Sequence, residues 1–247
     1  MSGIYFEVNM KNIIWLAIPL FVNSVHANVI LNNTRVIFNE NQKETILKVH
    51  NDNAHPVLIQ TWVDDGVQQH IANPPKTPFT MLPPIFRMET QQGHLLRIIY
   101  DGQTLPKDRE SIYWINVFEV PPKDANLKDS NTLQIAFRTR IKLFFRPESL
   151  KSPSIDDLAN QIDCKMNKNS NNVMALSCKN NSAYYISFSK INIKNKILPL
   201  DTFGMIPPFG DVIHAHESLS KDDDEIVATI INDQGGIGEK KIKVRYE

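Results

Sequence analysis

The chain carries no excess charge of either sign: its 27 Lys and Arg balance 27 Asp and Glu. A dedicated nucleic-acid binder is normally basic, so neutrality argues against that class. Glycine and proline are sparse, at 9 and 15 of 247 residues, which excludes collagen-like and low-complexity chains. Only two cysteines occur, so a Cys-rich metal scaffold or a multi-disulfide framework is not available. The apolar run Ile13–Val22 covers only about half of a ~30 Å hydrocarbon core, too short to span it. No Gly-rich phosphate loop, Gly-x-Ser-x-Gly elbow or His-Glu-x-x-His helix is present. The chain therefore reads as non-enzymatic, with no cofactor and no small-molecule substrate. His214 and His216 share a strand face as metal ligands can, with Asp211 and Glu217 nearby, but lack an identifiable third ligand, so no metal is expected. Hydrophobic residues at 42% and charged residues at 22% describe a globular chain.

Lys11, the run Ile13–Val22 and then Asn23-Ser24-Val25-His26-Ala27 together have the plan of a secretory signal. A buried core helix is the other reading of such a run. Cleavage is expected after Ala27, making residues 1–27 the signal peptide and the rest an exported protein, whether translation starts at Met1 or Met10. In an oxidising compartment, Cys164 and Cys178 are expected to form one disulfide across a polar, Asn-rich turn, stapling the ends of a hairpin.

The dominant period is two. Asn28–Phe38, Glu44–Asn51, Val57–Val63, Leu95–Tyr100, Ile112–Val120 and Leu133–Phe145 are rich in Val, Ile, Phe and Tyr, and turn-forming clusters separate them. A second series follows: Asp163–Met166, Val173–Lys179, Tyr184–Ile193, Val212–His216, Ile226–Ile231 and Ile242–Tyr246. No long segment keeps a 3.6-residue apolar stripe, so helices should be few. The pattern predicts an all-β protein of two sandwiches, residues 28–147 and 158–247, with a polar linker over 148–157. Lys221–Glu225 reads as an exposed acidic turn.

From Leu105 to Pro122 the chain runs LPKDRESIYWINVFEVPP, which resembles the signature of the periplasmic pilus (fimbrial) assembly chaperones. Other landmarks follow in order: Asn32-Asn33-Thr34-Arg35-Val36, the strand from Leu133 to Phe145, Asn180–Tyr185, and Ile231-Asn232-Asp233-Gln234-Gly235-Gly236. The resemblance implies two immunoglobulin-like sandwiches at an angle with a cleft between them. It also implies a periplasmic chaperone that stabilises pilus subunits by lending them an edge strand, then delivers them to an outer-membrane usher. The short loop Lys123–Thr132 resembles the subgroup that serves rod-type pili. An exported immunoglobulin-like pilus subunit or adhesin is the alternative, and two complete sets of strands argue against it.

For single residues the resemblance implies specific roles. Arg35 and Lys142 are matched to the pair that anchors the subunit's C-terminal carboxylate; by pattern alone, each is a solvated strand charge. Leu133, Ile135 and Phe137 are matched to the residues that fill the subunit's groove; by pattern alone, alternating residues form the sandwich's own core. Glu110, Arg146 and Asp233 are matched to an interdomain ion-pair network. Simple alternation puts Lys142 on the opposite face from Leu133, Ile135 and Phe137, so a bulge or strong twist between them is expected.

Overall fold

The computed structural model describes residues 29–67, 76–122, 134–169, 172–194, 196–216 and 219–247. The first half supplies nine strands: β1 (Val29–Leu31), β2 (Arg35–Asn39), β3 (Glu44–Asn51), β4 (Val57–Asp64), β5 (Phe79–Leu82), β6 (Ile85–Met88), β7 (Gly93–Tyr100), β8 (Ser111–Val120) and β9 (Phe137–Arg146). They form two sheets, in the orders β1-β3-β7-β5 and β2-β9-β8-β4-β6. Alternation builds the core between them: in β3, Leu47 and Val49 point inward while Ile46 and Lys48 face water. Leu96, Ile98, Ile115 and Leu143 meet them from the other strands. At one end Phe38, Phe79, Tyr100 and Phe145 pack with ring centroids 4.9 to 6.4 Å apart.

The predicted strand Asn28–Phe38 is two strands in different sheets, because the chain crosses over at Asn32-Asn33-Thr34. Strands β5 and β6 escaped the alternation argument because they flank Pro83-Pro84, which cannot donate to a ladder.

The second half holds α1 (Ile155–Ala159), β10 (Ile162–Lys168), β11 (Met174–Asn180), β12 (Ile186–Ile193), β13 (Lys196–Ile197), α2 (Leu200–Phe203), β14 (Met205–Ile206), β15 (Asp211–Ala215), β16 (Glu225–Ile231) and β17 (Ile237–Tyr246). Helix α1 begins inside the expected linker, started by a capping box between Ser154 and Asp157. The strands run β13-β12-β16-β17-β10-β11-β15, with β14 beside β12. Strand β17 pairs antiparallel with β16 through Lys243, then parallel with β10 from Val244 onward, so one strand serves both faces of the sandwich. Cys164 and Cys178 are directly opposed on β10 and β11 and are disulfide-bonded within the core. The acidic turn is not wholly exposed: Asp223 is 2% exposed, accepts from the Ser220 N–H, and lies 3.4 and 3.6 Å from Lys194 and Lys196. Two lysines on one side let a carboxylate sit under the turn instead of on it.

Candidate functional site: an open strand edge and the cations beside it

Strand β9 is paired along its length with β8, from Phe137 opposite Glu119 to Phe145 opposite Ser111. Its other edge is only half covered, because parallel β2 pairs with Lys142–Arg146 and no further. Among the described residues, Phe137–Ile141 thus offers unpaired backbone donors and acceptors on that edge. The regular strand starts at Phe137, later than the predicted Leu133, because Pro121-Pro122 end β8. Ahead of it, Gln134 Nε2 donates to the Pro121 carbonyl at 2.7 Å.

The β8–β9 register runs without a shift, so the expected bulge is absent. The two faces of β9 simply differ. Phe137 has the parity of Ile141, Leu143 and Phe145, which enter the core, yet it is 47% exposed and Ile135 is 54% exposed. The core face of β9 therefore runs on past Ile141 and Thr139 to an exposed Phe137 that nothing covers among the described residues. Leu133 and the loop Lys123–Thr132 lie outside the described residues. The opposite face carries Arg138, Arg140 and Lys142.

Arg35 and Lys142 are register partners where β2 begins, which places two cations side by side at the end of the open edge. Arg35 is 8% exposed; its Nη1 donates to the Ile231 carbonyl at 3.3 Å, and its guanidinium lies 5.8 Å from the Phe144 ring centroid. Lys142 Nζ donates to Ser187 Oγ at 3.1 Å and lies 5.9 Å from the Trp114 ring centroid. Burial, and then the neighbouring Arg35, push the Lys142 ammonium down to about 8. Burial also lowers the Arg35 pKa, opposed by Asp233 and Glu110. Two desolvated cations without a carboxylate between them form a receptor for an anion.

Trp114 is the wall of this place. Arg140 stacks on it at 4.3 Å from the ring centroid and pairs with buried Asp64, which also accepts from Asn116 Nδ2 at 2.7 Å and the Gly66 N–H at 2.8 Å. Asp64 pairs with Arg140, whereas Lys142 has no carboxylate partner among the described residues and Arg35 feels Asp233 and Glu110 only through space. Burial raises the Asp64 pKa, but the hydrogen bonds from Arg140, Asn116 and Gly66 outweigh it and hold the carboxyl below its ordinary value.

Arg146, at the end of β9, joins the sandwiches. It lies 2.7 Å from Glu110 and 2.6 Å from Asp233, with Ser152 Oγ at 3.2 Å. Glu110 in turn accepts from the Tyr185 N–H at 2.8 Å, and the Glu110 N–H donates to the Ala183 carbonyl at 2.9 Å. Burial lowers the Arg146 pKa, but Asp233 and Glu110 more than compensate and it ends above its ordinary value, while burial pushes the Glu110 carboxyl up against the pull of Arg146. Gly235, with φ +84°, brings the β16–β17 turn against the residue ahead of Arg35: a Cβ there would sit 2.5 Å from Thr34 Oγ1.

Sequence reasoning singled out Arg35, Lys142, Glu110, Arg146 and Asp233, and the structure gathers these five along the junction between the sandwiches. It missed Ser187, the Ile231 carbonyl, Trp114 and the Asp64–Arg140 pair. Only Trp114 carried a signal, its place two residues before Asn116 in the Leu105–Pro122 stretch.

Two family models match the chain: "Pili and flagellar-assembly chaperone, PapD N-terminal domain" over residues 28–151, and "Pili assembly chaperone PapD, C-terminal domain" over 157–242. Among similar proteins, the probable fimbrial chaperone YadV of Escherichia coli K12 is 37% identical over 224 residues, 87% of this chain and 89% of that protein. Chaperone protein LpfB of Salmonella typhimurium is 36% identical over 218 residues, 88% of this chain and 89% of that protein. The crystal structure of the YadV chaperone superposes with a TM-score of 0.70 at 34% identity, over 88% of this chain and 100% of that one. A structure of the Salmonella enterica SafA pilin in complex with the SafB chaperone matches with a TM-score of 0.71 at 26% identity, over 87% of this chain and 96% of that one.

Proposed function

Since the chain belongs to the pili assembly chaperone family, we propose that it binds pilus subunits, completes their fold with β9, and holds their C-terminal carboxylate between Arg35 and Lys142. The observation that carries this reading is the half-covered edge of β9. A guest strand on Phe137–Ile141 occupies the same edge as β2, end to end with it. If the guest runs parallel to β9, as β2 does, its C-terminus arrives beside Arg35 and Lys142. Phe137, exposed on the face that continues the core, and Ile135, exposed just ahead of the strand, then reach into the guest's own open core. Fixing the terminus also fixes register, where a slip of one residue would turn every guest side chain to the wrong face.

In this reading residues 1–27 are the export signal, the protein works in the periplasm, and the loaded complex is passed to an outer-membrane usher. The division falls over residues 148–157, and the buried Arg146–Glu110–Asp233 cluster sets the angle between the sandwiches. The cleft work is binding and release of a protein chain, without bond chemistry.

The test is co-expression with the pilin encoded beside this chain's gene. Wild type should preserve the subunit as a one-to-one complex, and subunits should be proteolysed without it. Arg35→Ala and Lys142→Ala should fold yet lose about 2–5 kcal/mol of binding, enough to abolish capture. Capture at wild-type level by both variants would overturn the anchor, and equal subunit survival without the protein would overturn the chaperone role.

A further inference from the structure

We propose that Ser187, from the second sandwich, is a positioning residue of the anchor and supplies a third donor to the guest's terminal carboxylate; this rests on the anchor reading above. Ser187 and Ile231 are register partners on β12 and β16, as Arg35 and Lys142 are on β2 and β9. The two pairs meet across the cleft: Lys142 donates to Ser187 Oγ at 3.1 Å, and Arg35 donates to the Ile231 carbonyl at 3.3 Å. Each sandwich thus offers one cross-strand pair, and each cation of the first is steadied by an oxygen of the second.

The hydroxyl has more to give. A lysine ammonium only donates, so in this contact the Ser187 oxygen accepts and its own hydrogen is left over. Ser187 is 1% exposed, and among the described residues that hydrogen has no acceptor. A buried donor without an acceptor pays its full desolvation penalty. A carboxylate oxygen lodged beside Lys142 and Arg35 is the acceptor this place lacks. The hydroxyl then accepts from Lys142 and donates to the guest, holding the ammonium in position and adding a hydrogen bond to an ionised group. The site is built from both sandwiches, so an arriving terminus ties them together at the cleft.

The experiment uses the purified full-length protein and the C-terminal peptide of the neighbouring pilin, as the free acid and as the C-terminal amide. Wild type should prefer the acid. Ser187→Ala should weaken the acid roughly tenfold or more and leave the amide unchanged. Ser187→Cys, which keeps the volume with a weak donor, should give the same selective loss, while Ser187→Thr should restore the acid preference. A merely structural role would weaken acid and amide alike, and that result overturns the proposal, as does wild-type preference in Ser187→Ala. If wild type itself shows no acid preference, the anchor reading fails. If wild type prefers the acid and both Ser187→Ala and Ser187→Cys do so equally, only the role of Ser187 fails.

Discussion

Raising the pH should empty the cleft of its guest. In the unoccupied cleft Lys142 titrates at about 8, lowered first by burial and second by Arg35. A carboxylate laid against the ammonium opposes both effects, so the occupied site keeps its proton to higher pH. Below about pH 8 the free lysine is already charged and binding takes up no proton. Above it the free site must first be protonated, and affinity should fall about tenfold per pH unit until the occupied site itself titrates. Between pH 7 and 9.5 the loss comes to about thirtyfold, or ~2 kcal/mol. The guest carboxylate and Arg35 keep their charges throughout that window. Fluorescence anisotropy of the free-acid peptide at constant ionic strength reads the effect directly. Lys142→Arg, which does not titrate there, should flatten the profile. Unchanged affinity between pH 7 and 9.5, or the same fall in Lys142→Arg, would refute the reasoning.

Two further outcomes concern the scaffold. Replacing Cys164 and Cys178 together by alanine removes a cross-link of sequence separation 14 and should cost about 3 kcal/mol, read as a lower denaturant midpoint; an unchanged midpoint contradicts it. Gly235→Ala puts a Cβ 2.5 Å from Thr34 Oγ1 at φ +84° and should cost about 1–3 kcal/mol, read as a lower melting temperature, because the turn must back away from β2. An unchanged melt would show that the turn yields without penalty.

Much of the architecture was legible because period-two alternation is a local property, and β3, β4 and β8 lie close to their predicted limits. The first predicted strand failed because alternation says nothing about which sheet a strand joins: the inward positions move from Val29 and Leu31 to Val36 and Phe38, a change of phase across Asn32-Asn33-Thr34 that accompanies the change of partners. Arg35 and Lys142 were legible through their neighbours in sequence. Ser187 was not, since its place beside Lys142 arises only where the two sandwiches meet, and a serine on a strand signals nothing by itself. The unshifted register shows that one strand can present charge on one side and apolar groups on the other.

The short reach of β2 has one more consequence. Because its first residue, Arg35, already lies beside Lys142, a strand advancing along the vacant stretch of β9 runs into a buffer stop. On the proposed docking such a guest is measured from its tail end: whatever precedes the docked stretch is free to vary, while residues added past the terminus would meet β2 on the same edge.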